Sequence, residues 1–343
     1  MTSLRSNGKP HIAQVSPPAA IPGGEFQIRG KGFAAADRPR VQLGETIVPL
    51  LVGSDSFLVA RVPEGVSAGE MIVHSGNLRS SPFLCELGVQ IADGMHPVAN
   101  PAVDDEGNIF TTLSGQRGQK TPVSVFRIDN NYHRRNFIAD LMNPTGIAFD
   151  REGLLYISSR HDGVVYQATA GGSMSVYVEG MGIATGLAFD REENLYVGDR
   201  SGTVFKVSRT RQIYVFATLE PSIAAYHLVF GPDDHLYVTG PTTSSFDAIQ
   251  RIAPSGEVSV FFRGLGRPQG LAFDRDGRLY VAASHAGRDG IVRITPSGNA
   301  DLFLSGPHIV GLAFTPSGAM IVATNSALFR VDTGIFGLPL PPR

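Results

Sequence analysis

The sequence predicts an all-β protein in two parts, a small two-sheet sandwich followed by a six-bladed β-propeller. Three observations carry this. First, one sentence is written repeatedly: Asn143-Pro144-Thr145-Gly146-Ile147-Ala148-Phe149-Asp150, leading through Gly153 to Leu155-Tyr156-Ile157. Second, apolar residues make up 42% of 343 residues and charged residues only 17%, and 40 glycines and 23 prolines punctuate the chain, which disfavours long helices. Third, the first 86 residues break into about seven short apolar stretches separated by turn signals.

Residues 1–9 are polar and expected as a disordered tail. Strands are then expected at Ile12–Val15, Phe26–Arg29, Arg40–Gln42, Ile47–Val52, Phe57–Val62, Met71–His74 and Pro82–Glu86, divided by Pro17-Pro18, Pro22-Gly23-Gly24, Gly30-Lys31-Gly32 and Pro63-Glu64-Gly65. Seven strands in roughly 80 residues make a sandwich domain over residues 10–86. The single cysteine, Cys85, excludes internal disulfides and a cysteine-based zinc site, and its apolar setting, Phe83-Leu84-Cys85, makes it a buried small hydrophobe.

Residues 87–333 hold the repeats. Phe149 has counterparts at Phe189, Phe230, Phe273 and Phe314, spaced 40, 41, 43 and 41 residues apart. A worn sixth copy, Pro101-Ala102-Val103-Asp104 with Asn108-Ile109-Phe110, lies 46 residues upstream, the excess falling in the polar insert Ser114–Lys120. Such a period with several short strands per copy marks a propeller. In the third copy the strands are expected at Gly186–Asp190, Leu195–Gly198, Val204–Ser208 and Gln212–Ala217. The last copy supplies only three strands. Val89-Gln90-Ile91-Ala92-Asp93 aligns with Asn136-Phe137-Ile138-Ala139-Asp140, a fourth strand, so residues 88–93 are expected to complete the last blade and close the ring, leaving no open sheet edge there. Residues 334–343, with Pro339, Pro341 and Pro342, are expected as an extended C-terminal tail.

Two resemblances attach to these stretches. Ile12-Ala13-Gln14-Val15-Ser16-Pro17 with Pro22-Gly23-Gly24-Glu25-Phe26 through Gly30-Lys31-Gly32-Phe33 resembles the opening of an IPT/TIG domain, which implies an immunoglobulin-like sandwich acting as a spacer or interaction module. The repeated Gly-Ile-Ala-Phe-Asp, Gly, Leu-Tyr-Ile/Val pattern, with Val197-Gly198-Asp199, resembles NHL repeats and the six-bladed propellers that include gluconolactonase-like and virginiamycin-lyase-like proteins. The gluconolactonase-like cation site needs acidic residues at channel positions. Here Thr145, Thr185, Tyr226, Gln269 and Val310 stand there, so that site is not carried over. The lyase-like proteins pair a histidine with an acidic neighbour; His308 is followed instead by Thr315-Pro316-Ser317-Gly318.

Candidate chemistry lies where the copies disagree. In a four-stranded blade, the loop entering the innermost strand and the loop between the second and third strands share one end. The positions matching Asn143 are His96, Ile183, Ala224, Arg267 and His308; Tyr226 and Gln269 follow two residues on, and His227 replaces a repeat glycine. His161 and His285 fall on the second-to-third loops of the same end, as do Arg160 and Asn325. The expected ligand-binding set is therefore His96, Asn143, His161, Tyr226, His227, Arg267, Gln269, His285 and His308. His96, His308 and His227 are the catalytic candidates, and His96, His308 and Asn143 could hold a divalent metal ion, the one cofactor left open. Asp104-Asp105-Glu106-Gly107 and Asp274-Arg275-Asp276-Gly277 look like calcium-loop fragments, but the repeat frame puts them in strand turns, where Asp and Gly are favoured for conformation.

The function expected is non-catalytic binding at this polar mouth of a small molecule, peptide or glycan, or of another protein. The alternative is a metal-assisted lyase or lactonase. A channel plugged by Tyr226 and Arg267 would instead indicate a scaffold. A net charge of −2 with no basic block excludes a nucleic-acid footprint, and no apolar run is long enough to span a membrane as a helix. With no leader-like stretch the chain as it stands is expected to be cytoplasmic, or extracytoplasmic had a leader been removed.

Overall fold

The structure, a computed structural model, describes residues 8–66, 69–116, 118–243 and 247–339. Most of the expected N-terminal tail (residues 1–7) and the end of the C-terminal tail (340–343) lie outside the described residues. The chain divides into two compact units, residues 1–89 with 288–291 and 302–307, and residues 90–287 with 292–301 and 308–343. Every described regular element is a strand, and no helix is long and apolar enough to cross a membrane.

In the first unit, two sheets share one core. One runs His11–Ser16, Glu25–Lys31, Phe57–Arg61, Leu50–Gly53; the other runs Phe83–Leu84, Glu70–Ser75, Pro39–Leu43, Thr46–Val48. Alternate residues point inward, as the two-residue period of a strand demands: Phe26 and Ile28, Leu58 and Ala60, Val41 and Leu43, Met71 and Val73. Cys85 joins this core, and burial pushes its thiol up to about 12. The stretch expected as one strand, Ile47–Val52, is two strands in different sheets. Pro49 sits between them; lacking an N–H, it cannot continue the ladder, and the chain changes sheets there. Ala19–Ala20 pairs in parallel with Glu86–Leu87 on one side and with Leu304 and Ser305 on the other.

The second unit is a propeller. Its sheets read, from the inner strand outward, Ala102–Val103 to Arg134–Ile138, Pro144–Phe149 to Met174–Val178, Ala184–Phe189 to Ile213–Thr218, His227–Phe230 to Val258–Arg263, and a fifth beginning Leu271–Phe273. In the sixth, Ile309–Phe314, Met320–Thr324 and Ala327–Val331 are completed by Val89–Asp93, as the closure argument expects. Ala102–Val103 packs against both Pro144–Phe149 and Ile309–Phe314, so the ring of inner strands closes.

The repeated words have a packing reason. In four blades the second-strand aromatic stands edge-on between an aromatic of its own fourth strand and the inner-strand phenylalanine of the next blade. Tyr196 meets Phe216 and Phe230, and Tyr237 meets Phe261 and Phe273, with centroids 4.9–5.0 Å apart. Such pairs contribute about 0.5–1.5 kcal/mol each beyond their buried area. The tyrosine hydroxyl needs a partner, and the Asp of Phe-Asp supplies it: Tyr196 Oη donates to Asp190 Oδ2 (3.2 Å) and Tyr280 Oη to Asp274 Oδ2 (3.1 Å). The other oxygen of Asp190 accepts the Glu192 and Asn194 amides, closing the turn. Asp104 and Asp274 cap their turns in the same way, so the calcium-like fragments are turn chemistry.

The C-terminal segment is tied down as far as Pro339. Ile335 N donates to Gly318 O, Phe336 O accepts the Arg275 amide, and Leu338 N donates to Phe273 O (2.8 Å).

Candidate functional site

At the start of the inner strands, backbone geometry explains part of the disagreement between copies. Asn143 (φ 45°), Arg267 (φ 46°) and His308 (φ 57°) all adopt the left-handed region. Asparagine tolerates that region best among non-glycine residues. Asn143 is also 1% exposed and fully engaged. Its Oδ1 accepts the Gly118 amide (2.8 Å) and its Nδ2 donates to Gly115 O and Gln116 O (2.9 Å each). It anchors the polar insert. Its amide is committed to these protein partners.

Two further candidates are sunk in the wall. Tyr226 is 3% exposed, donates to Glu220 O, and lies against Gly198 and Gly240, where a Cβ would come within 2.9 Å and 2.5 Å of its atoms. Burial pushes its phenol up to about 12. His227 is 4% exposed, and burial pushes its imidazole down to about 4, so at neutral pH it is an uncharged residue of the wall. Half-buried Gln269 serves the frame through its backbone, its amide donating to Ala282 O and its carbonyl accepting Thr239 Oγ1.

The structure does bring His96 and His308 together. Both are exposed and both hold Asn325: His96 Nδ1 lies 3.1 Å from Asn325 O, and His308 O accepts the Asn325 amide at 3.1 Å. A ring nitrogen facing a carbonyl is the protonated one, which leaves His96 Nε2 as the free acceptor. From there polar groups continue as an arc. Ser114 N donates to His96 O, Arg160 Nη2 reaches Ser114 Oγ (3.3 Å), and Arg160 N donates to Asn143 O. Exposed His161 lies against Gly118 of the anchored insert. Arg267 is exposed at a separate corner, where Gly266 and Ser284 exchange backbone bonds; half-buried His285 follows Ser284.

Among the described residues no group of three or more His, Cys, Asp or Glu is placed to hold a metal ion. Asp162, the carboxylate of the neighbouring loop, receives the Ser159 and Tyr166 hydroxyls and so serves its own blade. The arc thus joins two exposed imidazoles, the half-buried Arg160 guanidinium, the buried Ser114 hydroxyl and the exposed His161 ring. Ser114, Arg160 and Asn325 belong to it although the expected set omits them. The loop positions of Arg160 and Asn325 in the repeat frame were the available signal; nothing in the sequence singles out Ser114.

Arg267 is exposed and does not line the cavity of the channel. That cavity, of about 530 Å³, lies where the inner strands end, lined by Ala148, Ala188, Ala272, Ala313, Phe314 and Leu338 among others.

Comparison with known proteins places the fold. No family model matches the chain, and no curated protein matches it in sequence. Solved structures do match in shape. One described as a gluconolactonase candidate has 16% identity and a TM-score of 0.61, over 74% of this chain and 94% of its own. An auxiliary nutrient-binding protein from Bacteroides ovatus has 12% identity and a TM-score of 0.54, over 95% and 98%. A catalytically inactive virginiamycin B lyase from Staphylococcus aureus, solved with quinupristin, has 14% identity and a TM-score of 0.50, over 96% of each chain. At these identities the likeness is one of fold alone, and the shared fold is the β-propeller.

Proposed function

We propose that this is a non-catalytic binding protein whose propeller mouth takes a small polar ligand, a glycan or a peptide end, through the arc from His308 and His96 to Arg160 and His161. One observation carries the reading: the arc sets the exposed His96, His161 and His308 rings beside the half-buried Arg160 guanidinium on a frame held by Asn325 and Asn143. A carboxylate or a row of sugar hydroxyls is the complement of such a surface. The structural likeness to an auxiliary nutrient-binding protein supports it. The first unit, read as an immunoglobulin-like IPT/TIG domain over residues 10–86, serves as a spacer or contact module for another protein. A second reading, a metal-assisted lyase or lactonase, is favoured by His96 alone: its Nδ1 is fixed on a carbonyl and its Nε2 is left open, as in a metal-ligating histidine.

Calorimetric titration with uronate oligosaccharides and carboxylate-ended peptides tests both. Binding that weakens at least tenfold in Arg160→Ala and in His96→Ala, with no turnover, supports the binding reading. Lactone hydrolysis or elimination that requires added zinc or calcium and His96 replaces it with the second. Binding unmoved by either substitution rejects the arc as the site.

A further inference from the structure

We propose that the far end of the propeller channel is a second binding pocket, for an uncharged, flat, largely apolar molecule. It lies where the inner strands end, away from the mouth, and does not depend on the mouth reading.

The pocket exists because of a repeated choice in the sequence. The residue before the inner-strand phenylalanine is Ala148, Ala188, Ala272 and Ala313, with Ala102 before Val103, and all five line the cavity; the fourth blade has Val229. A strand position of this kind ordinarily carries a larger β-branched side chain. Alanine in five wedges leaves about 530 Å³, within the range that holds a small molecule. Phe149, Phe189, Phe230, Phe273 and Phe314 complete the walls, and Leu338 and Pro339 of the C-terminal segment close one side.

Charge narrows the ligand. Among the described lining residues the charged ones are Arg191 and Asp234, and they pair with each other at 2.8 Å while half exposed. The interior therefore offers no compensation for a desolvated ion, and an ionic ligand would lose its hydration without return. Polarity in the channel comes from peptide groups. Asn100 Nδ2 donates to Leu271 O (2.8 Å), Asn100 Oδ1 accepts the Leu312 amide (3.1 Å), and Leu338 N bonds to Phe273 O (2.8 Å). These bonds show that inner-strand peptide groups of the fifth and sixth blades reach partners lying in the channel. The second, third and fourth inner strands carry peptide groups at the same register, beside Ala148, Ala188 and Val229. A fused-ring molecule with one or two hydrogen-bonding groups on its edge matches apolar walls above and peptide groups around.

The test is a fluorescence titration of the full chain with N-phenyl-1-naphthylamine, a neutral apolar probe, followed by hydrogen exchange with and without it. Saturable binding at one site per chain with micromolar Kd is expected. Ala188→Phe and the milder Ala313→Leu, which fill the pocket, should each raise Kd at least tenfold; Arg267→Ala at the mouth should leave it unchanged. In the native chain the probe should slow exchange at the inner-strand ends, residues 148–150 and 188–190, and at 336–338, a readout that needs no variant. No saturable binding overturns the proposal. So does a filled variant that melts and binds like the native chain, and so does protection falling on the exposed outer strand at Ile213, Tyr214 and Val215.

Discussion

The two ends of the inner strands obey opposite rules. At the start, where the copies disagree, the chain carries Asn143, Arg267 and His308 in left-handed conformations and leaves His96, His308 and Arg267 in solvent. At the finish, where the copies agree, Ala-Phe-Asp is written again and again, and the agreement builds inter-blade aromatic contacts, capped turns and a cavity. Variation among copies thus marks freedom from the wedge, and not all freedom is ligand chemistry: Asn143 is spent on an insert. Agreement marks the wedge, yet it can also leave a pocket.

The largest expected effect is at the repeated end. Tyr280 is fully buried, stacks edge-on against Phe314 and donates to Asp274. Tyr280→Ala should cost about 3–5 kcal/mol in denaturant unfolding, and Tyr280→Phe only about 1. A loss under about 1 kcal/mol for the alanine variant would show that the wedge contacts are not what holds the ring.

Next comes the residue that crosses the comparison. Asn143 stands at the variable end but is bonded as a structural residue. Asn143→Ala removes three hydrogen bonds and places a Cβ-only side chain at positive φ, so about 3 kcal/mol should be lost, with faster amide exchange at Gly118. Asn143→Gly should recover about 1 kcal/mol of that. Unchanged stability with lost ligand binding would return Asn143 to the site.

The fold was readable because its signals are collective. Six copies of one phrase vote on architecture, and the orphan strand Val89–Asp93 could be matched to Asn136–Asp140 by plain likeness. In the first unit the inward-facing residues followed from alternation, except at Pro49, where one missing N–H splits a strand. The site was readable only as an end of the molecule. Whether Tyr226 and His227 point to ligand or wall depends on packing against Gly198 and Gly240 and on desolvation, neither of which has a linear signature. The hydrogen bonds that join His96 to Asn325, and Arg160 to Ser114, span 229 and 46 residues, beyond any local pattern.

His227 offers a pH test of wall against mouth. Its imidazole titrates near 4 when folded against 6.5 ordinarily, so the unfolded chain takes up the proton first. The neutral ring's contribution is complete above pH 6.5 and declines as pH falls towards 4, reaching a loss of about 2 kcal/mol by pH 5. His227→Leu should flatten the thermal-stability profile between pH 7 and 5 by about that amount. A profile identical to the native one would mean that His227 is hydrated, and therefore part of the mouth.

The smallest expected effects are the most informative about the mouth. His308 and Arg267 occupy backbone positions that suit glycine or asparagine, with φ of 57° and 46°. Holding an ordinary side chain there costs about 1 kcal/mol, and the extra freedom of glycine in the unfolded chain costs about 0.5–1 kcal/mol in the other direction. His308→Gly and Arg267→Gly should therefore melt within about 0.5 kcal/mol of the native protein, or slightly above it. Folding alone would then give no reason for an imidazole and a guanidinium at these two starts, which is what the proposed binding mouth expects. A loss above 1 kcal/mol in either variant would show that the side chain supports its loop, and it would move that residue from the arc or corner of the mouth to the frame, beside Asn143.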